Sequence, residues 1–211
     1  MKITWIGHSC FKIEKDGRCI VVDPYADGSV PGLDPVAVTA DQVLCSHEHG
    51  DHNGRAEVAL TGNTAEDVFS VETIQTFHDE VQGAKRGRSQ IFVIRAGNEK
   101  AAHFGDLGCE LTAEQMEQLQ DLDAALIPVG GYYTIDGKQA AKLMKNLKPR
   151  IVIPMHYRDD QAGFGYREIS TVENFLEEMD SVRKIESSEV TTEEAQETQV
   201  IVMQPLRRKN R

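Results

Sequence analysis

The chain has 211 residues, enough to bury a continuous core, and its length favours one domain over two. Asp and Glu number 34 against 23 Lys and Arg, a formal charge of −11, which argues against the cationic surface a nucleic-acid binder needs. With 40 % hydrophobic residues and 17 glycines, the composition excludes disorder over most of the length.

Short strands fill the first half. Residues 2–6, 10–14 and 18–22 are brief apolar runs, the last two joined by Asp16-Gly17, a hairpin signal. Strands follow at 43–46, 67–77, 90–95 and 101–104, with Ala96-Gly97-Asn98 closing the last pair. Thr112-Ala-Glu-Gln115 is a capping box that opens a helix to about 122. A strand at 124–129, a helix at 135–147 ending before Pro149 and a strand at 151–155 come next. Ser170-Thr-Val-Glu173 reads as a second capping box, and a strand at 199–203 ends the core. The acidic stretch 186–197 reads as a loop or insert, and 206–211 as a disordered basic tail beyond a single domain at 1–205.

Strands first and strand–helix alternation later suit two stacked sheets with helices outside, a four-layer αββα sandwich. No apolar run reaches the roughly 18 residues of a membrane span. His8 interrupts the start MKITWIGHSC and a charged Lys12 soon follows, so it does not read as a signal peptide and a cytoplasmic protein is expected. Cys10, Cys19, Cys45 and Cys109 form no CxxC pair and read as buried reduced thiols. No pattern speaks to oligomeric state.

The chemistry is concentrated in Ser46-His47-Glu48-His49-Gly50-Asp51-His52-Asn53-Gly54, directly after an apolar strand. Imidazoles and a carboxylate are ligands for borderline divalent metals, and a loop at a strand end can turn them onto one point.

His47-x-His49-x-Asp51-His52-x-Gly54 resembles the signature of the metallo-β-lactamase-fold hydrolases. The resemblance extends through Asp23-Pro24, the isolated His78, Gly105-Asp106 and His156, and covers about 1–157. Trp5-Ile-Gly-His8, His103-Phe-Gly-Asp106-Leu-Gly108, Ile127-Pro-Val-Gly-Gly131 and Pro154-Met-His-Tyr157 are similar to the compact relatives of ascorbate-phosphate lactonase and N-acylphosphatidylethanolamine phospholipase. The resemblance implies an αββα sandwich with its site at one edge, between the sheets. It also implies two metals: His47, His49 and His78 on the first, Asp51, His52 and His156 on the second, and Asp106 bridging them.

Two divalent cations about 3.5–4 Å apart hold a hydroxide at neutral pH, so hydrolysis of an ester, lactone, amide or phosphoester is expected. Asp51 is the catalytic candidate, as the carboxylate that orients the hydroxide and takes a proton. A donor set of His and Asp without Cys favours Zn²⁺, with Mn²⁺, Fe²⁺ or Ni²⁺ tolerated. His49, where a diiron oxidoreductase of this fold would want Glu, favours a hydrolase, and Glu48 is expected to point away.

Asp23 reads either as the partner that fixes a ligand histidine's tautomer or as a turn residue before Pro24. His8 and His103 read as structural hydrogen-bonders beside the site, or as substrate contacts; Tyr133 and Tyr157 either bond substrate or pack. Lys85-Arg86-Gly87-Arg88 is either a solvated hairpin tip or an anion clamp, in which Arg86 and Arg88 offer planar forks to phosphate or carboxylate. Gly130–Thr134 could add backbone donors at a helix start, with Thr134 as its cap. The reading is a dinuclear hydrolase of a small anionic molecule, with a nuclease or phosphodiesterase acting on RNA or DNA as the alternative. A metal-binding protein without catalysis is the third class.

Overall fold

β1 (Lys2–Gly7), β2 (Cys10–Lys15) and β3 (Arg18–Val22) form an antiparallel meander in the computed structural model, which describes residues 1–63 and 68–209. Asp16 and Gly17 turn β2 into β3 with φ of 47° and 75°, the two positive values of a type I′ hairpin. A small parallel pair, β4 (Val38–Ala40) with β6 (Val58–Leu60), lies beside β3. β5 (Gln42–Leu44) extends the meander in parallel with β3.

The second sheet has seven strands. β7 (Ser70–Phe77), β8 (Arg88–Ala96) and β9 (Glu99–His103) pair antiparallel. β10 (Ala124–Pro128), β11 (Ile151–Met155), β14 (Gln199–Val202) and β12 (Val182–Lys184) continue it in parallel, in that spatial order. β10 and β11 are buried at every residue, as continuous apolar runs require when both faces are covered.

The two sheets share one apolar cluster. The ring of Phe11 on β2 meets that of His103 on β9 edge-on at 5.8 Å, and Trp5 packs against Phe11, Tyr157 and Phe164. The helices are short: α1 (Ala113–Gln118), α2 (Gly137–Leu147) and α3 (Glu173–Leu176). α2 buries Ala140, Ala141, Met144 and Leu147, one helical face, and contacts β10 and α3. The expected α/β sandwich is present, with thin helical layers.

Several local expectations are corrected. Of the tail expected at 206–211, residues 210–211 lie outside the described residues, and 206–209 are not loose: the Leu206 and Arg207 amides donate to the Trp5 and Ile6 carbonyls, and the Arg207 guanidinium donates to the Val36 and Ala37 carbonyls. The stretch read as an acidic loop contains β13 (Glu189–Thr191), antiparallel to β1 with Val190 buried between two exposed residues. Ser170 and Thr171 cap no helix. They bridge to Gly130 and Arg158, and α3 starts after Val172 without a side-chain cap. α2 is capped by Asp136 with Gln139, not by Thr134, and α1 ends at Gln118, short of 122. The start expected for the strand at 67–77 lies outside the described residues. All four cysteines are free, Cys10 and Cys45 buried, Cys19 and Cys109 half-buried.

β1, β3 and β5 point together, as do β7, β9 and β11. Each is followed at once, or within three residues, by a side chain that sequence reading placed in the site.

Candidate metal centre

Three of these strand ends use the same device. His8 after β1, Asp23 after β3 and His156 after β11 have φ of 52°, 48° and 53°. A left-handed backbone is costly for residues other than glycine and turns each side chain sharply off its strand. After β9 the turn is made by Gly105, at φ 52°, where an added Cβ would lie 2.6 Å from the Gln90 carbonyl oxygen and 2.7 Å from Ser46 Cβ. Only glycine lets Asp106 come that close to the loop after β5.

Asp106, 1 % exposed, is the hub. Its Oδ1 lies 3.1 Å from His52 Nε2, and its Oδ2 lies 3.1 Å from His78 Nε2, 3.3 Å from His156 Nε2 and 3.9 Å from His47 Nε2. His49 Nδ1 faces His47 Nε2 at 3.1 Å. Asp51 Oδ2 lies 3.6 Å from His52 Nε2, 4.0 Å from His156 Nε2 and 3.3 Å from His8 Nε2. The donor atoms fall into three overlapping groups: His47, His49 and His78; His47, His52 and Asp106; and His8, Asp51, His52 and His156. Structure thus brings all seven expected ligand residues together and adds His8.

Outer hydrogen bonds decide which imidazole nitrogen faces inward. Asp23 Oδ2 takes His52 Nδ1 at 2.8 Å, and the Tyr133 carbonyl takes His78 Nδ1 at 3.0 Å. Ser46 Oγ lies 2.9 Å from His47 Nδ1 and itself donates to Asp23 Oδ2 at 2.6 Å, so it accepts from the imidazole. Each ring therefore turns Nε2 inward, towards Asp106 and the centre of the cluster. His52 Nε2 and Asp106 Oδ1 are fully buried without a hydrogen bond of their own, the condition a cation satisfies. The donor set, His nitrogens and Asp oxygens without sulfur, fits a borderline divalent ion.

Burial pushes the His47 imidazole down to about 3 and the His8 imidazole down to about 4, so both are neutral and able to coordinate or accept. Burial alone would raise the Asp106 and Asp51 carboxyls, but the neighbouring histidines outweigh it and hold both below the usual range.

A cavity of about 310 Å³ opens on this cluster, lined by His49, Asp51, His78, Asp106, His156, Arg86, Tyr133 and Tyr166. Arg86 sits in the loop between β7 and β8, its guanidinium 5.4 Å and 5.8 Å from the ring centres of Tyr133 and Tyr132. Arg88 is not beside it: that residue opens β8, is exposed and pairs with Phe77. His103 is structural, with Nε2 at 2.8 Å from the Ser9 carbonyl and Nδ1 accepting from the Gly105 amide. Tyr157 is 2 % exposed and packs on Trp5 and Phe164, away from the cavity lining. Glu48 does point away and bonds Asn53. Sequence reasoning missed Ser46, Asp79 and Tyr166. For Tyr166 the local signal was Gly163-Phe-Gly165, both glycines at positive φ, in a loop that runs back from His156.

The family model for the β-lactamase superfamily domain matches residues 2–156, from β1 to the last histidine of the cluster. A UPF0173 metal-dependent hydrolase of Desulforamulus reducens is 30 % identical over 193 residues, covering 74 % of this chain and 84 % of that protein. One from Nanoarchaeum equitans is 34 % identical over 190 residues, with the same two coverages. A Thermotoga maritima crystal structure, assigned as a Zn-dependent hydrolase of the metallo-β-lactamase superfamily, superposes with a TM-score of 0.75 at 33 % identity, covering 96 % of this chain and 97 % of that one. No helix among the described residues is long and apolar enough to cross a membrane. A cluster of histidines around one buried aspartate, on a sandwich matched by such relatives over most of its length, makes this chain a member of the β-lactamase superfamily, among its metal-dependent hydrolases.

Proposed function

We propose that the cluster holds two divalent cations, Zn²⁺ before Mn²⁺, Fe²⁺ or Ni²⁺, and that the protein hydrolyses an ester, lactone or phosphoester bond of a small anionic molecule. His47, His49 and His78 would hold one ion, Asp51, His52 and His156 the other, and Asp106 both. The observation that carries this reading is Asp106, whose two oxygens reach four histidines while one of them stays buried and unbonded. When bound, such ions supply Lewis acidity and lower the pKa of water to about 7.

The chain's own groups do the rest. Asp51 is the ligand carboxylate that both lines the cavity and meets His8, so it is placed to orient the attacking water and accept its proton. His8, locked by its positive φ and by its carbonyl accepting from Trp5 Nε1 at 2.9 Å, fixes the rotamer of Asp51. Asp23 and Ser46 keep His52 and His47 in the tautomer that faces the ions. The cavity volume suits a small molecule.

Metal analysis of protein purified without chelator, then assay of the loaded protein on lactones, carboxylic esters, thioesters, phosphomonoesters and phosphodiesters, tests the reading. Two equivalents and turnover on one ester class are expected. No metal uptake after addition of Zn²⁺ or Mn²⁺ would reject it.

A further inference from the structure

Among the described residues Arg86 is the one Lys or Arg side chain that lines the cavity over the histidine cluster, and no carboxylate lies within ion-pair range of it. Half of the Lys and Arg side chains among the described residues pair with a carboxylate, as Lys15 does with Glu99, Lys2 with Glu14 and Arg150 with Asp123. Arg86 is instead half-buried and held by two aromatic faces, which support a guanidinium plane without neutralising its charge. The rest of the cavity's far wall is the aromatic pair Tyr133 and Tyr166, ring centres 6.1 Å apart. Tyr166 is anchored there by its hydroxyl donating to the Ser29 carbonyl at 2.8 Å.

The loop that carries Arg86 is built around a single side chain. Asp79, 1 % exposed and next in sequence to His78, accepts four backbone N–H groups: Val81 at 2.9 Å and Gly83 at 2.8 Å on Oδ1, Lys85 at 3.0 Å and Arg86 at 2.8 Å on Oδ2. Such a nest sets the loop's shape from one carboxylate, and its last donor is the amide of Arg86 itself. A solvated hairpin tip has no need of a buried acid or of a cation turned back over two tyrosines.

Resting on the metallohydrolase reading above, we propose that Arg86 is the anion-reading residue of the site. On this view the substrate carries one carboxylate or phosphate that docks on its guanidinium while the scissile bond lies on the histidine cluster. Asp79 is the positioning residue that holds Arg86 there. The planar fork grips two oxygens of the group, and the ring pair fixes the fork's orientation.

The test is isothermal titration of metal-loaded protein with inorganic phosphate at pH 7, with metal content measured on each sample. Arg86→Gln should weaken phosphate binding at least tenfold with metal content unchanged, and Arg86→Lys should recover only part of it. Asp79→Asn should weaken binding in the same direction while keeping its metal, since one oxygen that accepts two N–H groups becomes a donor. Phosphate affinity unchanged in Arg86→Gln would mean that the ions alone hold the anion and would overturn the proposal. So would the absence of phosphate binding to a fully metallated wild type. Wild-type protein that takes up no metal would instead bring down the metallohydrolase reading on which the proposal stands.

Discussion

The Asp23 carboxylate bonds the His52 imidazole at 2.8 Å through Oδ2 while its Oδ1 takes the Ser46 amide at 2.6 Å. One buried acid thus serves two histidines of the cluster, His52 and, through the Ser46 hydroxyl, His47. Replacing it by Asn keeps the shape and removes the charge. Asp23→Asn should lower metal affinity by roughly 10–100-fold, read by competition against a chromogenic chelator. Affinity within twofold of wild type would show that Asp23 merely turns the chain.

Asp106→Ala removes the group that reaches four histidines. Metal analysis should find the variant short of at least one equivalent relative to wild type. Full stoichiometry would show two independent sites without a bridge.

Asp51→Ala should reduce turnover of the panel substrate by about 10² or more, with the circular dichroism spectrum preserved. The residue is only partly buried and lies in a loop, so its loss opens no core cavity. Activity within a few-fold of wild type would exclude it as the proton acceptor.

Gly105→Ala is expected to destabilise the protein by about 1–3 kcal/mol, because the methyl group meets the Gln90 carbonyl and Ser46 at a backbone angle that only glycine adopts freely. Denaturant unfolding measures this, and loss of metal should accompany it, since Asp106 is the next residue. A stability change under 0.5 kcal/mol would show that the turn relaxes.

The pH prediction concerns a pair far from the metals. Burial would raise the Glu99 carboxyl, but bonds from Lys15 at 2.7 Å, from the Met1 ammonium and from Thr192 bring it down to about 2 from an ordinary 4.5. A carboxyl depressed on folding contributes stability above its unfolded pKa and loses that contribution as pH falls towards the folded value. Glu99→Gln should therefore lower Tm by about 2–4 °C at pH 7, and the difference should shrink steadily between pH 4.5 and pH 2. An offset that does not change with pH would show that packing, not charge, is at work.

The parts of this protein that were legible in sequence are those whose signal is local. The His47–His52 spacing, the apolar runs of β10 and β11 and the Asp16-Gly17 turn each carry their reason within a few residues. β13 was hidden because its alternation is three residues long, with Val190 its one apolar member, inside an acidic stretch. The 206–209 segment was hidden because backbone amides, which every sequence has, attach it to Trp5 and Ile6. Tyr166 and Ser46 act by where tertiary packing puts them. Arg86 and Arg88 looked equivalent in sequence, and strand register separates them: Arg88 is committed to the ladder opposite Phe77, whereas Arg86 remains in the loop.

The two segments that wall the cavity mouth grow directly out of the cluster. The loop bearing Arg86 leaves from His78, and the loop bearing Tyr166 leaves from His156. A relative that acquired a new substrate by rebuilding either loop would pull on a histidine of the cluster at its root. Selectivity and metal grip are therefore mechanically yoked in this architecture. Loop grafts that begin beyond His78 should change substrate range at little cost in metal, and grafts that displace the His78 backbone itself should lose both together.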